Sequence, residues 1–316
     1  MRTAPLIHRT PTPGGVLKRL KFCLRGLAFA SDTKEWFEFL RAPELAVVVE
    51  HYPALFHKLQ RPYLNRVLNT RQRLEILKQH YGFVAAGFPP PLRNEIYATP
   101  GKLLATIPVE KLGTLRLLLK CSHKEKEGDL SIAIFHAETA AEWFTLSFSI
   151  SRYSASRREI FIGGLQSDKV VSKEIVISMT RCLYGLRPKA LLVFALQQLA
   201  VGWGVSSVRA VSNDMHIYRH FYKRRHLSAS YDEFWTDCGG RLADDGMFDL
   251  PAAFIPRDIS LIKVNKRKMY KRRYAMLAEA ASQIQAAMAW PASPLPKDHS
   301  EPSAVASGES LDGAEL

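Results

Sequence analysis

Tyr184-Gly185-Leu186-Arg187-Pro188-Lys189 opens the stretch that decides the fold. An apolar run Ala190 to Trp203 follows, then Gly204, Val205 to Ser212, the turn Asn213-Asp214-Met215 and a basic, aromatic segment from His216 to Arg225. Gly185 suits the end of one element. Pro188 suits the first position of a helix, where its missing N–H would have no partner anyway. The pattern predicts helix, short strand, helix. Arg187 and Lys189 then sit beside four unpaired backbone N–H groups at the positive end of the helix dipole, a construction that holds phosphate or another anion. The same two residues also fit a solvated helix start carrying surface cations.

Working outward, four β-rich runs precede this stretch: Leu115 to Cys121, Leu130 to His136, Trp143 to Ile150 and Glu159 to Gly163. Leu130 to Phe135 and Phe144 to Ile150 alternate with period two, and Lys126-Glu127-Gly128-Asp129 has the composition of a hairpin turn, so an antiparallel meander is expected. Val170 to Leu183 is helical by pattern. Further upstream, Asp32 with Glu35 resembles a capping box, Glu44 to Tyr52 is a short helix ended by Pro53, and Pro62 begins a third helix with Leu64, Val67, Leu68, Leu74, Leu77 and Tyr81 at helical spacing. Its other face carries Arg66, Arg71, Arg73 and Lys78, the composition of a solvated face. Gly82 to Gly113, rich in proline, is expected to connect the helices to the strands. Downstream, Arg257 to Val264 is a candidate last strand, leading into a helix from Asn265 to Ala289.

The chain has 316 residues, enough for a full core and about two domains. Its expected divisions are a disordered basic N-terminus (1–16), a helical region and linker (17–112), an α/β domain (113–290) and a disordered acidic tail (291–316). The class is α+β. No apolar run is long enough to span a bilayer and no signal-peptide h-region is present, so a cytoplasmic location is expected, with a peripheral inner-membrane one as an alternative. Cys23, Cys121, Cys182 and Cys238 are widely spaced without a C-x-x-C pair, which argues against a disulfide framework or a structural zinc site. The net charge is +14, and the tail from Pro291 holds one lysine against five acids, so the residues before it carry +18. Such an excess favours a polyanionic partner.

Several motifs occur in one order: His51-Tyr52-Pro53, Arg61-Pro62-Tyr63-Leu64, His80-Tyr81, Gly163-Gly164-Leu165-Gln166, Gly185-Leu186-Arg187-Pro188-Lys189, Tyr231-Asp232-Glu233-Phe234-Trp235, Gly246-Met247-Phe248-Asp249-Leu250-Pro251 and the run Lys266 to Tyr274. In these the chain, over roughly residues 15–285, resembles the VirK/YbjX family of Gram-negative bacteria. The resemblance implies a cytoplasmic factor tied to virulence and to survival of envelope stress such as cationic antimicrobial peptides. A second likeness is to the GNAT acyltransferase fold: antiparallel strands, a helix whose N-terminus takes the pyrophosphate of coenzyme A, then a strand and a helix. It implies Gly185, Arg187 and Lys189 at the cofactor phosphates, an acyl-CoA or acyl carrier protein as donor, and Tyr222 as the acid that protonates the leaving thiolate. The chain departs from that pattern in the extra helical segment Val170 to Leu183, and in having Leu186, Arg187 and Pro188 where glycines are usual.

His216 and His220 stand at i, i+4, but no glutamate lies between them as in H-E-x-x-H, and no metal is expected. His216 is a candidate base, although such a residue also packs among aromatics. Asn213 and Glu159 are candidates for the acceptor side. Lys266, Arg267, Lys268, Lys271, Arg272 and Arg273, with Tyr270 and Tyr274 among them, would hold the phosphates of RNA or an anionic lipid surface. They equally describe a soluble basic helix docked by its seam of Met269, Met276, Leu277, Ala280 and Ile284. No P-loop, dinucleotide fingerprint or Ser-His-Asp order is present.

Overall fold

The structure is a computed structural model and describes residues 13–154, 157–218 and 230–288. Its helices α1 (Pro13–Ala28), α2 (Ala30–Phe39), α3 (Ala46–His51), α4 (Leu55–Lys58), α5 (Thr70–Gly87) and α6 (Pro90–Ala98) precede β1 (Lys102–Val109), β2 (Gly113–Cys121), β3 (Leu130–His136), β4 (Ala141–Ser154) and β5 (Arg157–Ser167). Then follow α7 (Lys173–Cys182), α8 (Pro188–Gly202), β6 (Ser207–Val211), α9 (Tyr231–Asp237), β7 (Arg241–Leu242), β8 (Met247–Leu250) and α10 (Val264–Met288). The eight strands form one sheet in the order β1-β2-β3-β4-β5-β6-β8-β7. β5 and β6 pair in parallel and the other neighbours antiparallel. The fold is α+β, a helical N-terminal region followed by a mixed, mostly antiparallel sheet with helices.

The parallel pair needs a crossover, and α7 with α8 supplies it. The apolar run of α8 is buried on nearly every side, from Leu191 through Ala200, because the helix lies inside the molecule and has no wet face. Beyond its end, Trp203 meets the rings of Phe83, Phe88 and Phe148 and joins α5, the residue that ends it, and β4 in one core.

Several elements differ from the sequence expectation. α1 takes in residues 13–16, with a proline in its first turn, where it forfeits no hydrogen bond. α2 begins ahead of Asp32, which does not cap it; Asp32 and Glu35 instead bind Arg71, and Glu35 also binds Lys78. α5 starts at Thr70 rather than Pro62, because Asn69 and Gln72 form a full capping box. Gly82 to Gly113 is largely regular structure: the rest of α5, α6 and β1. Pro108 is tolerated in β1 because that strand is the sheet's edge. α10 covers this edge, and the Thr106 N–H donates to Gln283 Oε1 at 2.8 Å. Arg257 to Val264 holds a single 3-10 turn at Ile259–Leu261, and the last strands are β7 and β8, at the turn signals Gly240 and Asp245-Gly246.

Candidate functional site

Residues Lys126 to Asp129, expected as a hairpin turn, carry a buried junction at Glu127, Gly128 and Asp129. Lys58 Nζ donates to the Gly128 carbonyl at 2.9 Å and pairs with Asp129. The Asp129 carboxylate also accepts from Tyr63 Oη, from Tyr81 Oη at 2.7 Å and from Ser149 Oγ at 2.7 Å. Burial alone would raise the Asp129 value, but Lys58 and these hydrogen bonds hold it well below the carboxylate range. His80 adjoins the cluster and accepts the Ile150 N–H at 3.1 Å, with its value lowered by burial to about 4. Tyr63 and His80-Tyr81, noted as motif residues, thus fasten the helical region to β3 and β4.

The same turn carries Glu127 toward the other side. Its side chain is 1% exposed and Oε1 accepts from Gln166 Nε2, while Oε2 has no partner among the described residues. Burial pushes its value up to about 7, against the lowering pull of Lys124 and Gln166. Gly163 and Gly164 make room for it: a Cβ at Gly163 would strike the Glu127 carbonyl, and one at Gly164 would strike Oε2. The glycines also sit at a register shift, since Ser147 pairs with Gly164 and Phe148 with Ile162. The Gly163-Gly164-Leu165-Gln166 motif is therefore a seat for a carboxylate.

Beside it opens a cleft of about 790 Å³ between the end of β5, the start of α8 and α9. The β5–β6 pairing ends at Ile162 and Ala210 and β6 itself at Val211, while β5 continues to Ser167, which leaves the end of β5 without a strand on that side. Tyr231 closes part of it, accepting the Leu165 N–H at 3.1 Å and donating to the Leu165 carbonyl. Phe144, Leu165, Val176 and Phe234 give the cleft an apolar wall.

His216 lies in this cleft, 3% exposed and stacked on Tyr231 with ring centroids 5.1 Å apart. Burial lowers its value to about 4, so the ring is neutral at pH 7. Its Nδ1 accepts the Tyr218 N–H at 3.4 Å, so the neutral ring carries its proton on Nε2, which has no hydrogen-bond partner among the described residues and stands 3.9 Å from Glu127 Oε1. Arg187 and Lys189 reach the same cleft at the α8 N-terminus. Arg187 is bound to Asp237 at 2.8 Å and lies over the Phe234 ring. Lys189 has no acidic partner among the described residues, and burial, with Arg187 beside it, lowers its value. The helix end offers fewer donors than expected. Pro188 has no N–H, and the N–H groups of Ala190 and Leu191 both go to the Arg187 carbonyl, which leaves Lys189 N–H.

Other expected site residues lie elsewhere. Gly185, with φ +78°, faces α10, where Arg273 Nη2 would stand 2.8 Å from a Cβ, so the glycine makes room for that helix. Asn213 is taken up by structure, with its N–H on Asp232, its amide donating to Ser230 Oγ and accepting the Tyr231 N–H. Glu159 is at the opposite end of β5, where it accepts from Ser151 Oγ. Tyr222 and His220 lie outside the described residues. Within α10, Arg267 donates to the carbonyls of Ile262 and Ser260, and Arg273 to that of Tyr184. Lys266, Lys268, Lys271 and Arg272 are exposed. Glu127, Gln166, Lys124 and Tyr231 were not singled out as site residues from sequence. The one available signal was the glycine pair opposite an acidic turn.

Among the described residues no group of three His, Cys, Asp or Glu could hold a metal ion, and no helix is long and apolar enough to cross a membrane. Residues 14–286 match the model of a family described as "Protein of unknown function (DUF535)", and the chain belongs to that family. It is 33% identical over 266 residues to the "Uncharacterized protein YbjX" of Escherichia coli K12, covering 82% of this chain and 80% of that protein. A second relative, an "Uncharacterized protein" of Haemophilus influenzae Rd, is 30% identical over 175 residues, 54% of this chain and 57% of its own length.

Proposed function

We propose that this protein is a GNAT-like acyltransferase whose cleft takes a phosphate-bearing thioester, acyl-coenzyme A or an acyl carrier protein, and passes the acyl group to an acceptor amine or hydroxyl. The observation that carries this reading is that Lys189, which has no acidic partner among the described residues, and the neutral His216, which stands beside the buried Glu127, line one apolar-walled cleft. Lys189, helped by Arg187, anchors the donor's phosphate. The apolar wall holds the acyl chain. The parallel pairing of β5 with β6 across the helices between them supports the order of strand, helix and strand that the GNAT likeness implies.

In this mechanism the acceptor's nucleophile attacks the thioester carbonyl and its proton passes to the Glu127 carboxylate, while neutral His216, whose Nδ1 accepts the Tyr218 N–H, keeps its own proton on Nε2. With a value of about 7, Glu127 is suited to take a proton near neutral pH, and the His216 Nε2–H, 3.9 Å from its Oε1, faces the carboxylate. The C–S bond breaks, and the likeness assigns the thiolate's proton to Tyr222. A role in envelope stress and virulence follows from the family resemblance and fits a transferase that modifies an envelope component. Calorimetric titration of the nucleic-acid-free protein with acetyl- and palmitoyl-coenzyme A tests the reading. Saturable binding, lost in Lys189→Ala with Arg187→Ala, is expected; binding that survives both substitutions would sink it.

A second reading rests on the exposed cations Lys266, Lys268, Lys271 and Arg272, which have no acidic partner among the described residues. In it α10 binds RNA or anionic lipid without catalysis. RNA affinity that falls steeply with salt and is indifferent to Lys189→Ala would favour it.

A further inference from the structure

α1 is attached by one side and bare on the other. Phe22 is buried, and Gly26 faces Gln60 and Thr33, since a Cβ there would stand 3.5 Å from Gln60 Nε2. Leu20, Leu24 and Leu27 recur at i, i+4 and i+7 and remain 53%, 56% and 64% exposed. At about 100° per residue the three share an arc of roughly 60°, nearly opposite Phe22. Phe29, just beyond the helix, is 42% exposed. An apolar stripe of this size on a helix otherwise well placed for packing needs a covering surface.

The charge of the helix says which kind. Pro13–Ala28 contains Lys18, Arg19, Lys21 and Arg25 and no acidic residue. Lys21 and Arg25 are exposed and stand on the helix flank between the leucine stripe and Phe22. Two such helices packed leucine face to leucine face would bring like charges together. An anionic bilayer complements both features, with an apolar layer for the leucines and phosphates for the cations.

We propose that α1 is an interfacial helix that seats the protein on an anionic phospholipid surface, Leu20, Leu24 and Leu27 entering the headgroup–acyl boundary and Lys21 and Arg25 meeting lipid phosphates. This docking is independent of the cleft and of the cations on α10.

Flotation of the full-length protein with vesicles of phosphatidylcholine alone, or mixed with phosphatidylglycerol, tests it. The protein is expected to float with the mixed vesicles, and less as salt is raised. Leu24→Glu with Leu27→Glu should weaken this at least about tenfold, and Lys21→Glu with Arg25→Glu should weaken it too. Circular-dichroism melts should match the parent because these side chains are exposed. Undiminished flotation of the leucine variant overturns the proposal. So does binding lost only in Lys266→Glu with Lys271→Glu, or equal binding to uncharged vesicles. A concentration-dependent dimer that the leucine variant splits into monomers would assign the stripe to a second copy instead.

Discussion

Lys58 Nζ and the Asp129 carboxylate are bonded where neither side chain meets solvent, at 1% and 0% exposure. Tyr63, Tyr81 and Ser149 satisfy the remaining carboxylate sites. Removing one partner strands a buried charge, so Lys58→Met is expected to destabilise the fold by about 3–5 kcal/mol. Replacing both, Lys58→Met with Asp129→Leu, should recover part of that loss. Urea unfolding of the three proteins measures the difference, and a single variant as stable as the parent would contradict the pairing.

Glu127 predicts a pH dependence. Its value is near 7 in the fold and 4.5 when unperturbed, so between these the folded chain binds more protons than the unfolded one. The stability tied to this group is present below pH 4.5 and lost as pH rises to 7. His80 and His216, lowered to about 4, act with opposite sign, adding stability as pH rises from 4 to 6.5. Comparing Glu127→Gln with the parent isolates the glutamate: the variant's advantage in Tm should be small at pH 4.5 and grow to pH 8. At about 1.4 kcal/mol per unit it amounts to a few kcal/mol at most. A difference that does not vary with pH would place the shift elsewhere.

Gly164→Ala should displace Glu127, since the new methyl group meets Oε2. A loss of about 1–3 kcal/mol is expected from the forced overlap. The double variant Gly164→Ala with Glu127→Ala should recover much of it in thermal melts; a purely additive result would deny that the two side chains compete for one space.

Arg273 and the exposed lysines of α10 should separate cleanly. Arg273 donates twice to the Tyr184 carbonyl, at 3.0 and 2.7 Å, and its guanidinium lies over the Tyr270 ring. Its replacement by alanine should reduce stability by about 1.5–3 kcal/mol. Lys268→Ala and Lys271→Ala should stay within about 0.5 kcal/mol of the parent. Chemical denaturation gives both quantities.

The elements easiest to foresee were those with a strong local pattern: the alternating β3 and β4, the proline-started α8, and α10 with its apolar seam. β1 was hidden because Pro108 reads as a breaker until the strand is known to be an edge. The start of α5 was misplaced because leucines at helical spacing outweighed the Asn69–Gln72 cap. The cleft was legible in part. Arg187, Lys189 and His216 were chosen for local reasons and meet in space, whereas Glu127 reaches them only through a fold that carries its turn under β5. Gly185, expected at a cofactor, stands against α10, and a glycine that admits a cofactor and one that admits a neighbouring helix look alike in one dimension.

Asn213 has a consequence of its own. Through Asp232, Ser230 and Tyr231 it ties the two ends of the stretch between β6 and α9 to each other. The last of these bonds starts at the backbone of Tyr231, whose ring stacks on His216, so one half-buried amide works as a buckle that holds the floor of the cleft to the end of β6.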